Sequence, residues 1–405
     1  MFWKVYDHIV SIAVASQLLF LLQSFRNYRF AMKKAFGRYN HQPPVLLTVP
    51  CKGLDSEFEK NISSFYDLDY DNYSLHFVVE DAEDEAYEKL CRLKDKLSSS
   101  SKAGSVEVLI AGIASGCSQK IHNLLHSCQN CPDEVEVLVF ADSDACIKKQ
   151  WMRHLVYPLR LKKKGASTGY RWFVPDKNNL ASLALSAINA KIAQLLGDTR
   201  FNQVWGGSMA IRKETFYRLG IDKIWETAIS DDLSLSHAVK KAGMKIVFAP
   251  ACLVASYENT TWPKLLEFVT RQFTITRVTM VGTWWFGFLS SVYALAGLWA
   301  GAAIAICANI AGKENLASYW TVPIVFFIGQ LTRAILRQRM ITKILPDETG
   351  KIKQAAKADI LGNCLWSWIL FGCIFVSAFR RVITWRGKRY KLISRSETII
   401  LDNTK

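Results

Sequence analysis

An α/β domain on a mostly parallel sheet, carried by apolar helices that enter a membrane, is the fold class this sequence predicts. Three observations carry the prediction. Short β-rich runs alternate with helically spaced ones from about Gln42 to Lys245. The apolar run Val135 to Ala141 stops on Asp142-Ser143-Asp144, as a buried strand does when its carboxyl end presents oxygen ligands. Apolar stretches long enough to enter a bilayer flank the whole region.

The first stretch, Phe2 to Leu22, holds Lys4, Asp7 and His8 near its start and is followed by no small-residue cleavage site, so it reads as a signal-anchor. Arg26, Arg29, Lys33, Lys34 and Arg38 follow it and place the next residues in the cytosol by the positive-inside rule. The expected strands are then Val45 to Val49, Leu75 to Val79, Val106 to Ile110 and Val135 to Ala141, with helices over Asp55 to Phe65 and Asp84 to Leu97. Beyond Val278 the composition turns apolar over Val281 to Ala311, Tyr319 to Ile335 and Ile360 to Phe379. The expected division is an anchor over 1–24, a catalytic domain over 42–280, a membrane module over 281–379 and a basic tail over 380–405. Three crossings after the domain do not return the tail to the cytosol. Either one apolar stretch is re-entrant or interfacial, or the positive-inside rule fails here.

With half of its 405 residues hydrophobic, the chain is neither disordered nor fibrous. Its net charge of +16 suits nucleic acid, an anionic membrane or phosphate-bearing substrates. The positions decide: the cluster after Leu22, and Arg380, Arg381, Arg386, Lys388, Arg389 and Lys391 after the last apolar run, form a juxtamembrane pattern rather than a nucleic-acid surface. The ten cysteines include Cys307, Cys364 and Cys373 inside apolar runs, and the lone Cys128–Cys131 spacing has no second pair to complete a zinc site. A reducing compartment for the soluble part follows.

Two acidic pairs end strands: Glu80-Asp81 after the second and Asp142-Ser143-Asp144 after the fourth. At one sheet edge, the first is suited to a nucleoside and the second to a divalent metal, Mg²⁺ or Mn²⁺, on a diphosphate. Such a leaving group departs poorly until its charge is neutralised. A third element, Ser230-Asp231-Asp232-Leu233, opens a helical stretch that runs to Gly243. Its carboxylates suit a helix cap, and downstream of a metal-binding pair Asp232 also suits a general base.

Val49-Pro50-Cys51-Lys52-Gly53, Glu80-Asp81, Ser118-Gln119-Lys120-Ile121-His122-Asn123, Asp142-Ser143-Asp144, Ser230-Asp231-Asp232 and Arg271-Gln272-Phe273-Thr274-Ile275 occur in the order of a D, D, D, (Q/R)xxRW signature. Over roughly residues 42 to 280 the chain resembles the ceramide glucosyltransferase branch of the inverting, GT-A-fold glycosyltransferases of the family 2/21 type. The resemblance implies a GT-A nucleotide-sugar-binding domain in which Asp81 contacts uridine, Asp144 binds the metal and Asp232 is the base. It brings Glu80, Lys120 and Asp142 to the donor, and puts Gly207, in Gly206-Gly207-Ser208-Met209, where backbone approaches the sugar. In the last motif Arg271 keeps the first position, which implies a catalytic cation that neutralises the leaving UDP together with the metal, while Thr274 and Ile275 stand in place of Arg-Trp, and Arg277 lies close enough to supply a cation. Gly169-Tyr170-Arg171-Trp172-Phe173 falls where the family recognises donor or acceptor, its aromatics suited to stacking on a base or sugar or to core packing, and Trp385-Arg386-Gly387-Lys388-Arg389-Tyr390 resembles a segment near the end of several membrane glycosyltransferases.

The expected activity is therefore transfer of a hexose, glucose first, from a UDP-sugar to a lipid hydroxyl, ceramide before diacylglycerol or a sterol, with inversion at C1. Its place is a multi-pass membrane protein with a cytosolic catalytic domain, in the Golgi or endoplasmic reticulum of a eukaryote or the inner membrane of a bacterium. The rivals are a processive polysaccharide synthase and, in a different class, a catalytically silent lipid-binding protein.

Overall fold

The computed structural model describes residues 2–55 and 57–401. Helix α1 (Phe2–Ala35) leads to β1 (Val45–Pro50), α2 (Phe58–Tyr66), β2 (Tyr73–Val79), α3 (Glu85–Leu97), β3 (Ser105–Ile110), α4 (Gln119–Gln129), β4 (Val137–Ala141) and α5 (Trp151–Val156). Then come β5 (Lys164–Pro175), α6 (Leu180–Ala193), β6 (Ser208–Arg212), α7 (Lys213–Arg218), α8 (Ile221–Trp225), α9 (Asp231–Lys241), β7 (Lys245–Glu258) and α10 (Trp262–Thr279). The apolar helices α11 (Val281–Leu295), α12 (Gly301–Ile310), α13 (Leu316–Ile344) and α14 (Thr349–Ser377) follow, and β8 (Val382–Trp385), β9 (Lys388–Ser394) and β10 (Glu397–Leu401) form a separate antiparallel meander.

Seven strands make the central sheet in the order β3-β2-β1-β4-β6-β5-β7. Strand β1 pairs in parallel with β2 and β4, and β5 with β7, while β6 alone runs antiparallel to both its neighbours. This is the mostly parallel sheet expected from the sequence. Strands covered by helices on both faces read as continuous apolar runs, and β1 and β4 do. Alternate residues serve opposite layers: Val45, Leu47 and Val139 pack with Ile62, Phe65 and Leu90, whereas Leu46, Leu138 and Phe140 pack with Ile121, Leu124 and Trp225.

The chain leaves β1 for β2 and β3 on one side and returns to β4 on the other. The crevice between the carboxyl ends of β1 and β4 is thus a topological switch point, where open α/β sheets take ligands. Two expected boundaries move there. Strand β4 begins at Val137, because the amides of Glu136 and Val137 both bond to Pro44 O in the loop before it. Helix α2 begins at Phe58, and Asp55 is instead drawn into contacts with Ser143 and Arg386.

Among the described residues, four helical segments, His8–Ala35, Val281–Ile310, Leu316–Ile344 and Pro346–Ser377, are long and apolar enough to cross a membrane. Helices α1 and α13 run side by side in the same direction: Tyr6 Oη donates to Tyr319 O at 3.4 Å, Gln17 Oε1 accepts from Arg333 at 3.4 Å, and Ala31 and Ala35 share a cluster with Ile341 and Ile344. Their carboxyl halves rest on the α/β domain, where Asn27 Nδ2 donates to Gln194 O at 3.0 Å. Helix α14 behaves differently. Glu348, just before it, accepts from Tyr257 Oη at 2.5 Å, its middle carbonyl at Asn363 accepts from Lys191 Nζ at 2.9 Å, and Ser377 at its end accepts from Arg277 Nε at 2.9 Å and Trp284 Nε1 at 2.9 Å. The start and middle of α14 therefore lie along the α/β domain, while its carboxyl half runs beside α10 and the apolar segment that begins with α11, with Phe371 near Phe288 and Trp368 near Trp299. Its other side exposes Leu361, Leu365, Trp368 and Phe375. Between α13 and α14, Arg337 is forked onto Asp359 (Nε–Oδ2 2.6 Å, Nη2–Oδ1 2.5 Å), with Gln338 on the same carboxylate and Gln194 Oε1 accepting from Arg337 Nη1 at 3.1 Å.

Candidate active site

Carboxylates from β1, β2 and β4 meet the first turns of α4 and α9 at the switch point. The turn after β4 is closed by Ala145 N donating to Asp142 O at 3.2 Å, and Ser143 turns aside to donate to Asp55 Oδ2 at 2.8 Å. Asp142 and Asp144 are left together. Asp142 Oδ1 lies 2.7 Å from Lys120 Nζ, and Arg171 bridges the pair, Nη2 to Asp142 Oδ2 at 3.2 Å and Nη1 to Asp144 Oδ2 at 3.4 Å.

The two carboxylates are not equivalent. Burial pushes the Asp142 carboxyl up, but Lys120 and Arg171 outweigh it and hold the group below the usual carboxylate range. For Asp144 burial prevails, Arg171 opposing it while Asp142 and Asp55 add to it, and the group stands above that range. Among the described residues, Asp144 Oδ1 is buried with no hydrogen-bond partner. An acceptor in that state is under-satisfied until a cation or donor reaches it.

Lys120 occupies the first turn of α4, whose cap is Ser118 Oγ accepting from Ile121 N. Its ammonium also lies 2.9 Å from Asp231 Oδ2. Asp231 opens α9, and burial, reinforced by Asp232 and Asp142 against the pull of Lys120, pushes its carboxyl up to about 6. Asp232 is less buried and more constrained: Oδ1 accepts from Leu233 N at 2.7 Å and from Ser230 Oγ, and Oδ2 from Gly206 N at 3.2 Å. Gly206 and Gly207 permit this closeness. A Cβ on Gly206 would sit 2.3 Å from Asp231 Oδ2, and one on Gly207 2.2 Å from the Trp205 ring and 2.6 Å from Asp142 Oδ2.

At the end of β2, Glu80 is held between Lys52 Nζ at 2.5 Å and Lys388 Nζ at 2.6 Å. Burial would raise its carboxyl, and the two ammonium groups hold it below its ordinary value. Asp81 faces outward in an exposed turn, where Oδ1 accepts from Glu83 N at 2.8 Å. Glu80, Lys120, Asp142, Asp144, Gly207 and Asp232 are thus gathered, with Asp81 at their rim.

Arg271 approaches from α10. It donates to Thr384 O at 3.1 Å and lies over the rings of Phe268 and Trp385. Burial, with Arg171 and Arg386 adding to it, lowers its guanidinium to about 10. Arg277 is not brought into the group: Nε and Nη2 donate to Ser377 O and Arg380 O at 2.9 and 2.6 Å. Thr274 is buried, and Ile275 packs with Ile383, Tyr390 and Leu392 of the meander.

Arg171 was not singled out from the sequence, where its segment drew notice for its aromatics. On β5 the alternation sends Trp172 into the core while Arg171 reaches the carboxylates, its guanidinium 4.8 Å over the Trp205 ring. Lys52 and Asp55 were also missed, and the only signal was their place just after β1. Chemically, cations interleaved with carboxylates at a sheet edge suit a polyanion brought in with a divalent ion.

A model of glycosyl transferase family 21 matches residues 7–398. Similar solved structures include a mannosyltransferase from Pyrobaculum calidifontis in complex with GDP-mannose and Mn²⁺, at 13% identity and a TM-score of 0.45, covering 92% of this chain and 99% of that one. They also include GalNAc-T7 with UDP, GalNAc and Mn²⁺, at 13% identity and a TM-score of 0.39, covering 62% of this chain and 50% of that one.

Proposed function

The chain belongs to glycosyl transferase family 21, and from that premise we propose that it moves a hexose, glucose first, from a UDP-sugar to the hydroxyl of a membrane lipid, ceramide first, with inversion at C1. The observation that carries this reading is the convergence of Asp142, Lys120 and Asp232 on the Gly206-Gly207 backbone at the switch point, with Asp144 joined to Asp142 through Arg171.

The donor set fits a divalent ion, Mg²⁺ or Mn²⁺. Two carboxylates one residue apart, one with a buried unpartnered oxygen, match the way such ions use one or two protein carboxylates beside substrate phosphates. Asp142 and Asp144 would hold it, and when bound it would neutralise charge on the leaving diphosphate. Lys120 and Arg171 flank that position and carry part of the same load. Glu80 and Asp81 stand at the nucleoside end. Asp232, with Oδ1 tied to the first turn of α9, has Oδ2 engaged by Gly206 N alone, and the second lone pair of Oδ2 takes the acceptor proton. The lipid oxygen attacks C1, the bond from C1 to the diphosphate oxygen breaks with its electrons leaving on UDP, and Asp232 takes the proton.

Topology supports a lipid acceptor. With α1, α11 with α12, and α13 crossing and α14 lying along the domain at the bilayer surface, the sheet edge and the meander would share one side, cytosolic by the positive-inside reading of the basic residues after Leu22. The purified chain is to be assayed with UDP-glucose against ceramide, diacylglycerol, sterol and free oligosaccharide, with products identified by mass. Glucosylceramide is expected. Lengthening oligosaccharide without glycolipid indicates a polysaccharide synthase, and no UDP release with any acceptor indicates a silent protein.

A further inference from the structure

The meander formed by β8, β9 and β10 touches the candidate site through the tip of its first hairpin. Trp385 pairs with Lys388, so Arg386-Gly387 is a two-residue loop, and both residues have positive φ, 49° and 81°. Loops of that conformation match strand twist but favour Asn, Asp or Gly at the first position. An arginine there is held in an uncommon backbone region, and what its side chain does explains its presence.

Arg386 Nη2 donates to Asp55 Oδ1 at 2.7 Å and Nη1 to Lys52 O at 3.2 Å. The other oxygen of Asp55 accepts from Ser143, the middle residue of the Asp-Ser-Asp turn. One carboxylate therefore ties the hairpin tip to that turn, and the guanidinium also senses the charges of Asp144 and Asp142. Two positions on, Lys388 Nζ reaches Glu80 Oε1 at 2.6 Å and Gln119 Oε1 at 2.9 Å.

The rest of the meander is seated independently of these charges. Ile383, Tyr390 and Leu392 are buried against Ile229 and Ile275, Arg395 Nε donates to Thr279 O at 2.8 Å, and Thr227 Oγ1 bonds to Ser396 O. An apolar base thus fixes the tip over the sheet edge. The Arg386 side chain is about half exposed, at 49%. It turns toward the carboxylates of β1 and β4, whereas a lipid-headgroup ligand would turn toward the apolar faces of α11 and α14.

Resting on the donor reading above, we propose that Arg386 is a ligand of the donor diphosphate and that the hairpin closes the donor pocket, with Lys388 holding it against Glu80. The chemistry suits the assignment. A guanidinium offers five N–H donors in a planar fork matched to phosphate oxygens, and an arriving diphosphate competes with Asp55 for them. The same anion enters beside Asp142 and Asp144, so the hairpin cation and the turn meet it from opposite sides.

The test uses the full chain in detergent with Mn²⁺, measuring dissociation constants for UDP and for uridine in wild type, Arg386→Ala, Arg386→Lys and Arg389→Ala. Arg389 is an exposed residue of β9 and serves as a control for the loss of one positive charge. Loss of a charge-assisted phosphate contact should weaken UDP binding by about tenfold or more in Arg386→Ala while uridine binding stays unchanged. Arg386→Lys should fall between, and Arg389→Ala should match wild type. If Arg386→Ala is not recovered folded, Arg386→Gln is read the same way. Unchanged UDP binding overturns the proposal and leaves the donor reading intact, and an equal loss for UDP and uridine overturns it as well. A wild-type chain that binds neither UDP nor uridine overturns the donor reading itself.

Discussion

Lys120 Nζ stands 2.9 Å from Asp231 Oδ2 and so fastens the first turn of α4 to the first turn of α9. The same ammonium reaches Asp142, so Lys120→Met leaves the buried Asp231 without its cation and Asp142 with Arg171 alone. Removing one partner of a buried ion pair costs about 3–5 kcal/mol. The variant should melt well below wild type, and adding Asp231→Asn should return part of the loss in a double-mutant cycle read by thermal denaturation in detergent.

The pH dependence of stability should carry the mark of Asp231. Its carboxyl is raised in the folded chain to about 6, from an ordinary 3.8, so the folded state binds this proton more tightly than the unfolded one. Its contribution is therefore present below about pH 4 and is lost as the pH rises to about 6. Melting curves of wild type and Asp231→Asn across that window should show this fall only in wild type. Equal slopes would remove the assignment.

Asp144→Ala and Asp232→Asn should fail in different ways. The first removes a carboxylate of the bridged pair and should abolish UDP-sugar binding together with transfer. The second keeps shape and, through its one amide oxygen, the helix-cap contact with Leu233 N, so binding should persist while turnover stops. A wild-type rate in Asp232→Asn would end its assignment as base.

Gly207→Ala should be severe for so small a change. The added methyl lands 2.2 Å from a rigid indole and 2.6 Å from Asp142 Oδ2, so Trp205 or the Asp142 turn must move. Overpacking of this kind costs about 1–3 kcal/mol. The expected outcome is a lower melting temperature and a larger drop in kcat/KM, read on the same preparation.

Labelling tests the crossings. Cysteines at Lys149 and Ser394 should react with an impermeant maleimide from the same face of sealed vesicles, and one at Glu314, between α12 and α13, from the opposite face. The labels are read above the background of the unsubstituted chain. Reaction of Ser394→Cys from the Glu314 side would contradict a surface-lying α14.

Much of the sheet was legible because strands covered on both faces must be apolar throughout, and those ending in Val79 and Ala141 delivered Glu80 and Asp142 where periodicity placed them. Cations joined through tertiary packing were not legible. Arg171 sits between aromatics that drew attention to themselves, and Arg386 lies far along the chain from the Asp55 it meets. Hydropathy identified α14 as a membrane segment but could not distinguish crossing from lying, since lipid and an apolar protein surface select the same side chains. Its contacts with Tyr257, Lys191 and Arg277 tie it to the α/β domain and α10, and those with Phe288 and Trp299 tie it to the apolar segment before α13.

The fork of Arg337 on Asp359 governs the order in which the molecule can be assembled during synthesis. Helix α13 emerges first, carrying a guanidinium whose carboxylate partner on α14 has yet to be made, and a buried charge left without its partner costs about 3–5 kcal/mol. Gln194, made earlier on the already emerged sheet side, can receive that guanidinium at once. Helix α13 is therefore best lodged after the α/β domain has folded, and α14 then docks as its counter-charge arrives, so biogenesis should stall in chains whose domain folds slowly even though every apolar segment is intact.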